Sequence, residues 1–408
     1  MGYEKNRRIE EDDQGWYYSD KDICSRCLSD SYLKEVVRST AKGFECSFCD
    51  RTSKSTPIAV PFNEIMEIIG ETVFQYFDHA ENELSWDHEE GYFGSTYDSE
   101  DIVREELGEP SDNEAVIEEI IKSLGDYTWC EKHAYSLTGS DYLESSWNEF
   151  CRTVKHQTRY FFNAQEPPGE SESYSDTIPV PQMLDTLRDI IEAASLVTTL
   201  PEDSRFFRIR VHKSEESWTT WDTLGPPPSE YAVTNRMSPA GISMFYAGLD
   251  MATARAETSA NLPDDDPRVL TGAVWTNARP LTVLDLTRLP ALPSIFEVSK
   301  YDRDHLVFLR NFVDAISQPV THDGKEHIEY VPTQILTEYF RHRYRIENNQ
   351  RLHGIIYPSA QRKKGRSVVI FASSADLDPD LSQLREERRP VLTLETGSIR
   401  RVPRKKKT

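Results

Sequence analysis

Hydrophobic positions change their period partway along the 408-residue chain. Between Pro61 and Phe162 they recur at helical spacing. One set is Ile65, Ile68, Ile69 and Val73, and a second is Val116, Ile120, Ile121 and Leu124. A third set, Leu143, Trp147, Phe150, Val154 and Thr158, predicts a helix over 142–160. The stretch from His79 to Glu100 has no period and reads as an acidic loop. A further helix is predicted from Pro181 to Val197, with Met183, Leu187, Ile190, Ile191 and Ala194 on one side and Pro201 beyond its end. From Ser204 onward the pattern shortens to β-branched and aromatic runs, which predict strands at 205–211, 242–247, 272–275, 281–286, 352–357, 368–372 and 391–394. Helices are expected among them at 250–260, 305–317 and 333–345. The stretch from Arg236 to Glu257 reads as turn, strand, loop and helix. Pro239 and Gly241 mark the turn, Ile242, Met244 and Tyr246 alternate on the strand, and Asp250 caps the helix.

Charge divides the chain in a second way. The net charge is −22, and residues 51–150 hold 24 acids against 5 bases, whereas residues 151–408 hold 34 of each. An acidic surface repels a phosphate backbone, so a nucleic-acid groove in that unit is argued against. A solubilising face explains the excess. The first residues carry no apolar leader pattern and no apolar run is long enough to span a bilayer, so a soluble cytoplasmic protein away from the membrane is expected. No GxGxxG fingerprint, Walker A sequence or nucleophile elbow is present.

Four of the six cysteines form two CxxC pairs, Cys24/Cys27 and Cys46/Cys49. Two such knuckles at this separation suit a closed tetrahedral site, and a structural zinc ion is expected there. Disulfides fit poorly with an intracellular chain. Cys130 and Cys151 are read as buried thiols.

The residues around these features resemble two known domains. The zinc-knuckle start, followed by an acidic helical unit ending in Val154-Lys-His156-Gln-Thr-Arg159-Tyr-Phe-Phe162, resembles the N-terminal domain of HEPN/RES proteins. Catalytic HEPN domains place four to six residues between Arg and His. Arg152 and His156 are separated by three, so nuclease activity is not carried over. The second half resembles a RES domain. Phe207-Arg208-Ile209 stands for the family's first strand, and Arg236, Pro239, Gly241, Tyr246 and Glu257 follow in the family's order. Thr333-Gln334 and Pro358-Ser359 match its later motifs. The turn departs from the family, with Asn235-Arg-Met-Ser-Pro239-Ala-Gly241 in place of Gly-Arg-Trp-Asn-Pro.

The resemblance implies an α+β RES domain related to the ADP-ribosyltransferase fold, with NAD+ as substrate. Cleavage of the nicotinamide–ribose bond by phosphorolysis or hydrolysis is the implied activity, in a toxin or defence role. Protein ADP-ribosylation and a non-catalytic binding role stand as alternatives. Glu257 would stabilise the oxocarbenium ion and Tyr246 would stack on nicotinamide. Arg208 and Arg236 would hold phosphates, and Thr333, Gln334 and Ser359 would complete their cradle. Implied partners are NAD+, inorganic phosphate and an antitoxin or other inhibitor; self-association is left open. The expected organisation is a zinc-binding region over 1–58, a helical HEPN-like domain over 59–163, a linker and helix over 164–203, the RES domain over 204–400 and a basic tail over 401–408.

Overall fold

The computed structural model describes residues 2–133, 137, 139–164, 177–260, 262–263, 266–299, 302–319, 324–346, 349–380 and 390–403, with the side chains of 2–5 and 12 excepted. Most of the expected linker and the last residues of the basic tail lie outside these described residues. The chain folds as two compact units, Met1–Thr138 with Leu292–Arg303, and Gly139–Ala291 with Asp304–Thr408.

The first unit holds helices α1 (Gly2–Gln14), α2 (Ser31–Thr40), α3 (Phe62–Tyr76), the short α4 (Ala80–Glu83) and α5 (Ser99–Asp101), and α6 (Glu114–Leu124). The predicted apolar stripes become its core: Ile65, Ile69, Val73, Val116, Ile120 and Leu124 are buried together. Asn113 caps α6 by accepting from the Ala115 amide, and Gly125 ends it with φ of 82°. The unit is not purely helical. Strand β1 (Asp22–Cys24) pairs with β2 (Ala59–Pro61), β3 (Phe77–His79) with β6 (Trp129–Glu131), and β4 (Trp86–Asp87) with β5 (Gly91–Tyr92). The stretch read as an acidic loop therefore carries short strands, which its polar composition hides.

The second unit is built on an eight-stranded sheet in the order β14-β10-β8-β9-β13-β12-β11-β7. The strands are β7 (Val197–Leu200), β8 (Arg205–His212), β9 (Phe245–Gly248), β10 (Val269–Asn277), β11 (Leu281–Asp285), β12 (Gly354–Pro358), β13 (Arg366–Ile370) and β14 (Leu392–Arg401). The β11–β12 pair is parallel and the other pairs are antiparallel. Seven strands fall where the sequence places them. The helix expected over 181–197 stops at Ala193, and its last expected residue, Val197, begins β7; β9 begins at Phe245 rather than at Ile242. Phe206, Phe245, Trp275, Val283, Ile356 and Val368 form the core of this sheet.

Helices α7 (Gly139–His156), α8 (Met183–Ala193), α9 (Trp221–Leu224), α10 (Met251–Ser259), α11 (Arg303–Ser317), α12 (Glu326–Glu329) and α13 (Val331–Glu338) complete the unit. Trp147 of α7 packs edge-on against Phe312 of α11 at 5.0 Å between ring centres. Arg152 and His156 lie exposed on α7, where Arg152 pairs with Glu149. Among the described residues no helix is long and apolar enough to cross a membrane.

One irregularity in the sheet positions the site. β8 and β9 are joined at a single residue pair, Phe207↔Gly248, although each is well paired on its other side. The two strands then part, leaving a wedge in the sheet. Helix α10 closes one face of it, with Met251 and Ala254 packed against Phe207, Ile209 and Val211. Gly248 permits the approach. A Cβ there would stand 2.7 Å from the Ala254 nitrogen and 2.8 Å from the Asp250 carbonyl oxygen.

Candidate active site

The wedge opens into a cavity of about 460 Å³ in the second unit, within the range of ordinary ligand sites. Arg208, Arg210, Arg236, Tyr246, Glu257, Tyr330 and Tyr357 are among its lining residues. Three arginines and one carboxylate make the charged lining positive.

Arg208 sits at the parting of the strands and is buried. Its Nε donates to the Leu224 carbonyl at 3.0 Å, one Nη to the Gly225 carbonyl at 3.1 Å, and the other Nη to the Tyr246 carbonyl. At Tyr246 the guanidinium bonds a β9 carbonyl beyond the single β8–β9 pair, and through Leu224 and Gly225 it ties β8 to the end of α9. Burial first, and Arg210 second, lower its pKa well below the usual arginine value. The carbonyl contacts and the Phe245 ring, 5.1 Å away, offset that penalty.

The turn Thr234–Ser238 carries Arg236 and closes through a bridge between Asn235 and Ser238. Arg236 donates to the carbonyls of Ile316 and Gln318, tying the turn to the end of α11, and its guanidinium lies 5.7 Å from the Tyr330 ring centre. Ser238 bonds the Tyr246 hydroxyl at 2.8 Å. Burial raises the Tyr246 pKa, so the phenol stays neutral, and Ser238 fixes the hydroxyl end of the ring. Tyr246 is the second residue of β9.

Glu257 projects from α10 into the cavity. Asp250 caps the helix as expected, accepting from the Thr253 amide at 2.8 Å. The Glu257 Oε1 accepts from the Ser359 hydroxyl, with the Ser367 hydroxyl at 3.5 Å. Ser359 opens the β12–β13 loop, and Arg362 of that loop donates to Asp250 and Thr253 at 3.0 Å each. The loop and the start of α10 are therefore locked together, and the carboxylate is held in one orientation. Ser359 stands behind Glu257 and is not itself a lining residue.

Thr333 and Gln334 have a different place from the one their motif implies. Both are buried on α13 and neither lines the cavity. Thr333 Oγ1 donates to the Arg236 carbonyl at 2.6 Å. Gln334 Nε2 donates to Thr234 Oγ1 at 3.0 Å, the Asn235 carbonyl at 2.8 Å and the Ser238 carbonyl at 3.2 Å. They brace the turn that presents Arg236 and Ser238. The sequence reading gives no place in the site to Arg210, Ser238, Tyr330, Tyr357 or Ser367. For Arg210 a signal existed, because a residue two beyond Arg208 on a strand shares its face.

In the first unit, Cys24, Cys27, Cys46 and Cys49 place their sulfurs within 4.8 Å of one another. Cys24–Cys27, Cys24–Cys49 and Cys27–Cys46 are 3.8, 3.6 and 3.7 Å apart. A disulfide needs about 2.05 Å. Four sulfurs at about 2.3 Å from a tetrahedral ion stand roughly 3.8 Å from each other, so the donor set fits a closed metal site. Asn113 supports it from α6, donating to the Phe48 carbonyl at 3.1 Å. Cys130 is buried as expected, whereas Cys151 is only half-buried.

Residues 39–168 match the family described as HEPN/RES N-terminal domain 1, and residues 205–391 match the RES domain. No curated protein and no solved structure matches the chain.

Proposed function

Because this chain carries a HEPN/RES N-terminal domain followed by a RES domain, we propose that it consumes NAD+ by cleaving the nicotinamide–ribose bond in the β8–β9 cavity. The observation that carries this reading is convergence. Arg236, Tyr246 and Glu257, from a turn, a strand and a helix, line one cavity, and Ser359 reaches the same carboxylate from a distant loop. The split sheet with a helix across it also supports the expected likeness to the ADP-ribosyltransferase fold.

In this mechanism the C–N bond to ribose breaks and its electron pair stays on the nicotinamide nitrogen, which leaves neutral. Positive charge develops on the ribose, and the Glu257 carboxylate, oriented by Ser359, stabilises it. The Tyr246 ring, fixed by Ser238, offers a face to the nicotinamide. Phosphate or water then supplies the oxygen that bonds to the ribose carbon, and its proton passes to solvent. Arg236, held at the end of α11, adds a guanidinium to the cavity wall. Removal of a shared cofactor suits a toxin or defence effector restrained by an inhibitory partner. The four cysteines, on this reading, hold a structural zinc ion that closes the first unit and takes no part in the chemistry.

The test is product mass after incubation of the full chain with NAD+. ADP-ribose 1″-phosphate in phosphate buffer marks phosphorolysis and ADP-ribose marks hydrolysis. Mass added to protein would mark transfer, and no turnover would refute the proposal.

A further inference from the structure

Arg210 differs from the other two arginines of the cavity. Arg208 directs three and Arg236 two of their five guanidinium N–H donors to backbone carbonyls. Among the described residues Arg210 has no hydrogen-bond acceptor and no ion-pair partner. Its guanidinium carbon lies 5.4 Å from the centre of the Trp218 ring. That ring is itself fixed. It stacks on His212 at 5.0 Å with planes 12° apart. Both nitrogens of His212 are engaged, Nδ1 with the Lys213 carbonyl and Nε2 with Thr271 Oγ1, each at 2.8 Å. The guanidinium is thus held by a rigid aromatic pair while its N–H edges stay unspent.

Among the described residues no carboxylate and no hydrogen-bond acceptor offsets the cost of this position; the Trp218 ring offsets part of it. Arg210 is half-buried at the cavity wall, two residues beyond Arg208 and on the same side of β8. The one carboxylate among the lining residues, Glu257, is taken by Ser359. Withdrawing a cation from water without a counter-charge is unfavourable, and an anion entering the cavity would repay it. A planar fork with free edges suits two oxygens of a phosphoryl group.

We propose that Arg210 is the anion-binding residue of this cavity and takes a phosphoryl group of the ligand between β8 and β9. The assignment of that phosphoryl group to the substrate rests on the proposed function; the capture of an anion does not. Two sources share the chemistry, the diphosphate of the dinucleotide and a free inorganic phosphate acting as nucleophile.

The experiment uses the full chain, Arg210→Gln and Arg210→Lys. Calorimetry with inorganic pyrophosphate as the probe reads anion capture directly. Wild type should bind, Arg210→Gln should bind about tenfold or more weakly, and Arg210→Lys should fall between. Thermal unfolding should not fall, because Arg210 makes no hydrogen bond that folding relies on and Arg210→Gln removes a cation without a counter-charge. Pyrophosphate binding by Arg210→Gln equal to wild type, or none by wild type, would overturn the proposal. Steady-state kinetics then separates the sources. A raised KM for NAD+ alone identifies the dinucleotide diphosphate, and a raised KM for phosphate alone identifies the nucleophile. Turnover with neither KM moved would also overturn it. If wild type binds pyrophosphate but leaves NAD+ intact, the functional reading fails while the anion site stands.

Discussion

Replacing Gln334 with Met tests whether this residue braces the turn or meets the ligand. The substitution keeps an unbranched side chain of similar length and removes one amide. Three acceptors lose their donor: Thr234 Oγ1, the Asn235 carbonyl and the Ser238 carbonyl. An amide nitrogen carries two hydrogens, so two of the bonds are well formed at once and the third is shared. Each contributes about 0.5–1.5 kcal/mol net, and a buried acceptor left unpaired costs about 1–3 kcal/mol. Gln334 is 8% exposed, which leaves little room for water to substitute. The expected loss is therefore about 2–4 kcal/mol. At the few degrees per kcal/mol usual for a domain of this size, Tm should fall by roughly 5–15 °C. Circular dichroism through thermal unfolding provides the assay, with NAD+ turnover measured well below Tm. Turnover should fall too, since the turn carries Arg236 and the serine that fixes Tyr246. An unchanged Tm with a raised KM for NAD+ would refute the reasoning and make Gln334 a ligand contact.

The remaining predictions concern the cysteine site and the effect of pH. Purified protein should carry stoichiometric zinc by metal analysis, and a strong chelator or Cys27→Ser should unfold the first unit at lower temperature; metal-free protein with the same unfolding curve would contradict this. His353 has its pKa lowered by burial first and by Arg279 second, and its Nδ1 accepts from the Thr282 amide at 3.1 Å. The folded state therefore binds this proton less readily than the unfolded chain. The stabilisation is complete above the unfolded value of about 6.5 and is lost as pH falls through the folded one. Stability of the second unit should decline on acidification, and His353→Gln, whose side-chain oxygen can accept the same N–H, should flatten the slope; an unaltered slope would exclude His353 as its source.

Local signals carried most of the elements. Asp250 before an alanine-rich helix and the apolar stripe of α6 involve partners within a few residues, and both formed as read. Features set by distant partners were not legible. Val197 continues the apolar period of α8, but Val197–Leu200 pairs with β11 more than eighty residues later, and that pairing makes it a strand. Ile242–Met244 alternate like a strand, yet the ladder with β13 ends at Phe245↔Ile370 and leaves them unpaired. β14 runs on from Leu392 to Arg401 through Glu395, Thr396 and Ser398, polar residues that mask an edge strand. The wedge between β8 and β9 is a matter of register, and no residue pattern announces it. For the same reason the motif pair Thr333-Gln334 could be located in sequence while its role could not. Its partners lie about a hundred residues away, on the turn it supports.

The central claim is that NAD+ is cleaved beside Glu257. Its most direct test is nicotinamide release by wild type and by Glu257→Gln, with unfolding curves recorded on the same preparations. The glutamine keeps an oxygen to accept from Ser359 and removes the charge. Release by wild type and a loss of about a hundredfold or more in the variant, at equal Tm, is the predicted result. Equal release by both proteins would contradict the account.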